Sequence, residues 1–178
     1  MIRLFAALSI PPEIGRSLQT RQTGIEGARW RPLEALHVTL KFYGDIREDV
    51  ARDLDAELVA VGGRPFEIAL QGAGAFDNGD GIDAVWAGVA ENAELRRLAE
   101  ACDGAARRVG LKTEKRNYKP HVTLAYLRRA DPVQVAAWIQ SNNLLKSPPI
   151  TIERFGLYSS TQHREGSYYR LEAEYPLG

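Results

Sequence analysis

The chain has 178 residues, 44% of them hydrophobic and 26% charged, the composition of an ordinary soluble globular protein, long enough to bury a sizeable core as one domain with room for two lobes. Its 23 Lys and Arg balance 23 Asp and Glu, so no global field draws it onto nucleic acid or an anionic membrane, and any polyanion must be met by a local patch. A single cysteine, Cys102, excludes an internal disulfide and fits a reducing cytoplasm.

The first predicted element is a strand over residues 2 to 9. Its apolar run has only Arg3 ahead of it and ends at Pro11-Pro12, which marks a buried strand bounded by breakers rather than a secretory leader. No stretch approaches the roughly 20 apolar residues of a membrane span, so no membrane partner is expected. A helix over 12 to 23 follows, then strands at 28 to 31 and 36 to 42. A second helix over 48 to 61 carries Val50, Leu54, Leu58 and Val61 on one face. Strands at 66 to 76 and 82 to 90 flank Asn78-Gly79-Asp80-Gly81, which reads as a hairpin turn rather than a phosphate-cradling loop because no helix start follows it. A third helix, 92 to 109, aligns Leu95, Leu98, Ala99, Cys102, Ala106 and Val109. A strand at 121 to 126 leads to a fourth helix over 132 to 142, opened by the capping pair Asp131-Pro132. Strands at 149 to 158 and 167 to 175 close the chain. Short alternating units of this kind predict a mixed or antiparallel α+β fold.

The tetrapeptide His37-Val38-Thr39-Leu40 recurs letter for letter as His121-Val122-Thr123-Leu124, 84 residues on. Each copy has an aromatic five residues after its histidine, Phe42 or Tyr126, and each runs through a short polar stretch into an amphipathic helix. Two related strand-then-helix units predict two pseudo-symmetric lobes. On a strand, Val38 and Leu40 face one way and His37 and Thr39 the other, and likewise for the second copy. A histidine and a threonine two residues apart stand about 6 to 7 Å from each other along a strand, a span that reaches neighbouring oxygens of a phosphate ester. One imidazole as base and one as acid, with threonine hydroxyls on the non-bridging oxygens, suffice for in-line displacement at phosphorus without a metal or cofactor. A zinc site needs three or four ligands, and the third histidine, His163, lies in a predicted loop with no cysteine near it.

Residues 107 to 119 hold six cations (Arg107, Arg108, Lys112, Lys115, Arg116 and Lys119) against Glu114, and end next to the second motif. Part of this run is expected to border the cleft and attract a phosphodiester backbone. Lys41, in line with His37 and Thr39 by strict alternation, is expected to help hold the anion. Of Trp30, Phe42, Tyr43, Tyr126 and Tyr158, one or two are expected to stack a base.

The doubled His-x-Thr, with "RLFAALSIPPEI" before it, "RWRPLEALHVTLKFYGD" and "KPHVTLAYL" around it and "FGLYSSTQHREGSYYRLEAEYPL" after it, resembles the 2H phosphoesterases, and among them the bacterial RNA 2',3'-cyclic phosphodiesterases of the ThpR/LigT type. The resemblance runs over nearly the whole chain. It implies two α+β lobes with antiparallel sheets facing a central cleft, helices on the outside, and no metal. It also implies His37 as proton donor to the leaving oxygen, His121 as the base that activates water, and Thr39 and Thr123 as phosphate binders. The implied reaction opens a 2',3'-cyclic phosphate at an RNA end to a 2'-phosphate, and such enzymes are also similar to ligases that form a 2',5' bond by running related chemistry backwards. Small cyclic nucleotides, ADP-ribose cyclic phosphate, 2',5'-linked oligonucleotides and non-catalytic binding of RNA ends are the alternatives. A monomer with no obligate protein partner is expected. One position departs from the family: its second motif commonly continues Leu-Ala-Arg, whereas this chain has Leu124-Ala125-Tyr126. Either Arg116, Arg128 or Arg129 supplies the missing charge from elsewhere, or the substrate is held differently.

Overall fold

Residues 1–114 and 116–178 are described in a computed structural model of the chain; Lys115 of the basic run lies outside them. Strand β1 (Ile2–Ser9) alternates, with Leu4, Ala6 and Leu8 in the core and Phe5, Ala7 and Ser9 on the opposite face. Helix α1 (Pro12–Gln19) begins at its proline but stops short of residue 23, because the chain tightens into successive short turns and Gly24, at φ +91, reverses it. The short strand β2 (Arg29–Trp30) and a 3₁₀ turn over Leu33–Ala35 lead into β3 (His37–Ile46), then α2 (Glu48–Val59), whose Leu54 and Leu58 are wholly buried. Each such leucine contributes about 1.5–3 kcal/mol by leaving water.

The expected strand at 66 to 76 is two strands, β4 (Phe66–Ile68) and β5 (Leu70–Asp77). Their partners differ. The Leu70 N–H donates to the Ser147 hydroxyl and the Ser147 N–H returns to the Leu70 carbonyl, so the backbone changes neighbour at Ala69. Strand β6 (Ile82–Val89) pairs with β5 through the expected Asn-Gly-Asp-Gly turn, closed by a bond from the Asn78 N–H to the Gly81 carbonyl. Helix α3 (Ala93–Arg108) is capped by the Asn92 side chain and helix α4 (Pro132–Asn142) by that of Asp131, with strand β7 (His121–Tyr126) between them. The expected strand at 149 to 158 also divides, into β8 (Ile150–Ile152), which pairs with β4, and β9 (Arg154–His163), which joins β10 (Gly166–Pro176).

Two antiparallel four-stranded sheets result, ordered β10-β9-β1-β3 and β2-β7-β6-β5, with β4 and β8 as a separate ribbon. Strands β3 and β7, which carry the two motifs, approach one another where the sheets meet. Helices α2 and α3 cover the first sheet and α4 the second, the two-lobed arrangement of the sequence-based expectation. Helix α3 follows a strand of the second sheet yet packs on β3 of the first, and one hydrophobic cluster runs from Leu8 and Val38 to Val85, Val122 and Trp138. No helix among the described residues is long and apolar enough to cross a membrane.

Candidate active site

Both motif strands carry a β-bulge at the same place. Against β1, Thr39 pairs with Ala7 and Lys41 with Ala6, so Leu40 and Lys41 together face one residue. Against β6, Thr123 pairs with Trp86 and Ala125 with Val85, so Leu124 and Ala125 do the same. A bulge inserts one residue and resets the alternation. Phe42, opposite Phe5, and Tyr126, opposite Ala84, are thereby returned to the cleft face beside the histidines, where strict alternation would turn them away.

Each histidine is oriented by its own backbone. His37 Nδ1 donates to the Ala35 carbonyl at 2.8 Å and His121 Nδ1 to the Lys119 carbonyl at 2.7 Å, in both cases two residues upstream. A carbonyl only accepts, so the hydrogen of each neutral ring sits on Nδ1 and the lone pair on Nε2. His37 Nε2 accepts from the Thr39 hydroxyl at 2.9 Å. Aromatic rings enclose both imidazoles: Phe5 and Tyr169 lie 5.0 and 5.3 Å from His37, and Phe76 and Trp86 lie 4.7 and 6.0 Å from His121, centroid to centroid. This burial, with the nearby charge of Arg31 and of His121 itself, lowers His37 to about 4 against the pull of the Ala35 carbonyl. Burial likewise lowers His121, with the Lys119 ammonium adding to the effect. A hollow of about 60 Å³ beside His37 is bordered by Phe5, Glu34, Tyr158 and Tyr169. The larger groove of about 510 Å³ between the end of α1 and α4 includes neither histidine in its lining.

The structure brings His37, Thr39 and Tyr158 to the cleft from the first lobe, and His121, Thr123 and Tyr126 from the second. Lys41 is a correction. The bulge turns it to the helix side, where its ammonium meets the Asp103 carboxylate of α3 at 2.8 Å, so it does not stand in line with His37 and Thr39. Arg116 is an 81% exposed side chain paired with Glu114 at 2.7 Å. Two more of the six cations are likewise paired, Arg107 with Glu100 and Asp103 and Arg108 with Glu57. Lys119 is the member that borders a motif histidine, its ammonium 4.7 Å from the Trp86 ring centroid. Phe42 shares the cleft face but lies under the Arg3 guanidinium at 4.9 Å, while Trp30 and Tyr43 turn to the core side, Trp30 against Trp138 and Tyr43 with its hydroxyl on the Cys102 carbonyl. His163 packs edge-on against Tyr168 at the end of β9.

Sequence reasoning missed Phe5, Phe76, Trp86, Tyr169 and Arg31. Phe5 had a signal, since it stands on the odd-numbered face of β1, opposite Leu4, Ala6 and Leu8. Trp86 owes its place to Gly74, where a Cβ would come within 2.4 Å of its ring, a tertiary contact with no local trace.

Residues 10–164 match the model of the 2'-5' RNA ligase superfamily. The chain is a 2H phosphoesterase of the LigT type. It is 28% identical to an RNA 2',3'-cyclic phosphodiesterase of Archaeoglobus fulgidus over 95% of this chain and 97% of that one, and 30% identical to one of Methanothermobacter thermautotrophicus over 71% and 72%. Its fold superposes on TT0787 of Thermus thermophilus with a TM-score of 0.81 at 25% identity over 98% and 97% of the two chains. It also superposes on E. coli LigT complexed with 3'-AMP, with a TM-score of 0.78 at 23% identity over 99% and 98%. In such a phosphoesterase the matched Nδ1 anchors and matched bulges deliver two equivalent His-Thr pairs from opposite lobes.

Proposed function

We propose that the chain hydrolyses 2',3'-cyclic phosphate ends of RNA to 2'-phosphates by two-histidine acid-base catalysis without a metal. The observation that carries the reading is the pair of Nδ1-to-carbonyl anchors, which leave two Nε2 atoms for proton transfer from opposite lobes. His121 Nε2 takes a proton from water as the water oxygen bonds to phosphorus. The bond from phosphorus to the 3' oxygen breaks, and His37, entering as the imidazolium, gives its Nε2 proton to that oxygen. Solvent then resets both rings. Thr39 and Thr123 donate to the non-bridging oxygens, where charge gathers. A 5'-hydroxyl in place of the water would leave a 2',5' phosphodiester instead.

The relatives named RNA 2',3'-cyclic phosphodiesterases support the substrate class. The test is hydrolysis of a short RNA ending in a 2',3'-cyclic phosphate, in EDTA, across pH 4 to 9, with the product identified. Turnover to 2'-phosphate, falling by about 100-fold or more in His37→Ala and in His121→Ala, is expected. A 3'-phosphate product, or activity that appears only when a divalent metal is added, would overturn the reading.

A further inference from the structure

Arg31 follows β2 and belongs to neither motif. At 9% exposure it is the one buried charged residue among the described residues, and no carboxylate there pairs with it. Its backbone N–H donates to the Leu124 carbonyl at 2.8 Å, and its own carbonyl accepts from Gln22 Nε2 at 2.8 Å, so its main chain is fixed to the second lobe. Its guanidinium crosses to the first lobe. It lies 5.4 Å from the ring centroid of Tyr126 and 5.4 Å from that of Tyr169, and one nitrogen donates to the Ser167 carbonyl at 3.4 Å.

A guanidinium carries five N–H donors; one nitrogen makes the single long hydrogen bond to Ser167, and the others are left to solvent, since Trp86 Nε1 is the one buried side-chain polar atom without a partner among the described residues. Two ring faces hold the cation in place while its free donors open to solvent, where an anion can reach them. The geometry therefore holds a planar cation ready for an anion that the protein does not supply. Tyr169 also packs edge-on against His37, so one ring borders both the cation and the histidine assigned as acid. We propose that Arg31 binds the anionic oxygens of the scissile phosphate, supplying from just after β2 the charge that Tyr126 does not supply from β7. The two residues occupy one space: the bulge turns Tyr126 onto the cleft face, and Arg31 lies over its ring. Tyr126 provides a flat support and Arg31 the fork.

The proposal rests on phosphate chemistry between His37 and His121, and its test is chosen to fail separately from that reading. Binding of inorganic phosphate is measured by calorimetry for the unmodified chain, Arg31→Lys, Arg31→Met and the double variant Arg31→Met with Tyr126→Arg, each checked for fold by circular dichroism. Phosphate affinity is expected to fall about tenfold or more in Arg31→Met, to fall less in Arg31→Lys, and to recover in the double variant. Where turnover is measured, the Arg31→Met alkaline limb of kcat/KM moves to higher pH. The groups that face His37 are Arg31, Glu34, Tyr158, Tyr169 and His121, and loss of the Arg31 cation relieves a repulsion on the imidazolium. Phosphate affinity within twofold of the unmodified chain in a folded Arg31→Met would overturn the proposal. Should that variant not fold, Arg31→Lys decides, since it keeps the charge and loses the fork: unchanged affinity overturns the clamp, and weakened affinity upholds it. Phosphate binding needs no turnover, so an inert protein whose affinity depends on Arg31 upholds the clamp while sinking the reaction. An active protein indifferent to Arg31 does the reverse.

Discussion

His37 is held between Phe5 and Tyr169 at a cost that appears in acid. Its folded value of about 4 lies below the 6.5 of an unperturbed imidazole. Between those values the unfolded chain binds the extra proton, so stability is full above pH 6.5 and is lost as the pH falls through 4. The fall amounts to about 3 kcal/mol when complete. His37→Gln removes it, and urea unfolding at pH 7.5 and pH 4.5 is expected to show a smaller acid loss in the variant than in the unmodified chain; equal losses would contradict the shift. In the proposed mechanism His121 must be neutral and His37 protonated, so both depressed values bear on turnover. The kcat/KM maximum is therefore expected on the acid side of pH 6.5. Gly74 offers a third residue-scale test. A Cβ there meets the rigid Trp86 ring at 2.4 Å, so Gly74→Ala is expected to cost about 1–3 kcal/mol by overpacking. It should also slow turnover by displacing the ring beside His121.

Strands β3 and β7 show how one inserted residue redistributes a site. The alternation of His37, Val38, Thr39 and Leu40 is legible in the sequence, and so is its repetition at 121–124. The bulge that follows each motif is not legible, because it is defined by the partner strand: Leu40 and Lys41 share Ala6, and Leu124 and Ala125 share Val85. Extrapolating the alternation puts Lys41 on the phosphate, whereas the bulge delivers it to Asp103. Lys41→Met is accordingly expected to leave KM for the cyclic phosphate within about twofold while costing about 0.5–2 kcal/mol of stability, the range for a partly buried ion pair with other partners nearby. A KM rise of tenfold would return Lys41 to the cleft. Arg107 also pairs with Asp103, which limits the loss.

At the scale of the molecule, the geometry of the proposed site is a distance between two lobes. The Tyr118 hydroxyl, just ahead of β7, donates to the Thr39 carbonyl of β3 at 2.7 Å, and the Tyr118 carbonyl accepts from Arg96 of α3 at 2.8 Å. This contact ties one motif strand to the approach of the other. Tyr118→Phe removes only the hydroxyl, and is expected to cost about 1 kcal/mol and to lower kcat more than it raises KM. An effect on neither would mean that packing alone sets the spacing. The hydrophobic cluster is continuous across both sheets and α3 straddles them. Thermal unfolding is therefore expected as one transition by near- and far-ultraviolet circular dichroism; two separable transitions would make the lobes independent units.

The sequence was sufficient for the doubled motif, the order of strands and helices, the cap at Asp131 and the turn at Asn78 to Gly81, because each depends on covalent connectivity and on neighbours a few residues away. The resemblance to the phosphoesterase family was readable for the same reason, since His37, Thr39, His121 and Thr123 lie in short contiguous stretches. Only the tertiary structure decided which cation faces the histidines, which aromatics enclose them, and where the strands at 66 to 76 and 149 to 158 divide. Those outcomes depend on pairing across strands and between lobes, and on burial, which acts on Arg31 and His37 through residues more than a hundred positions away, such as Tyr169.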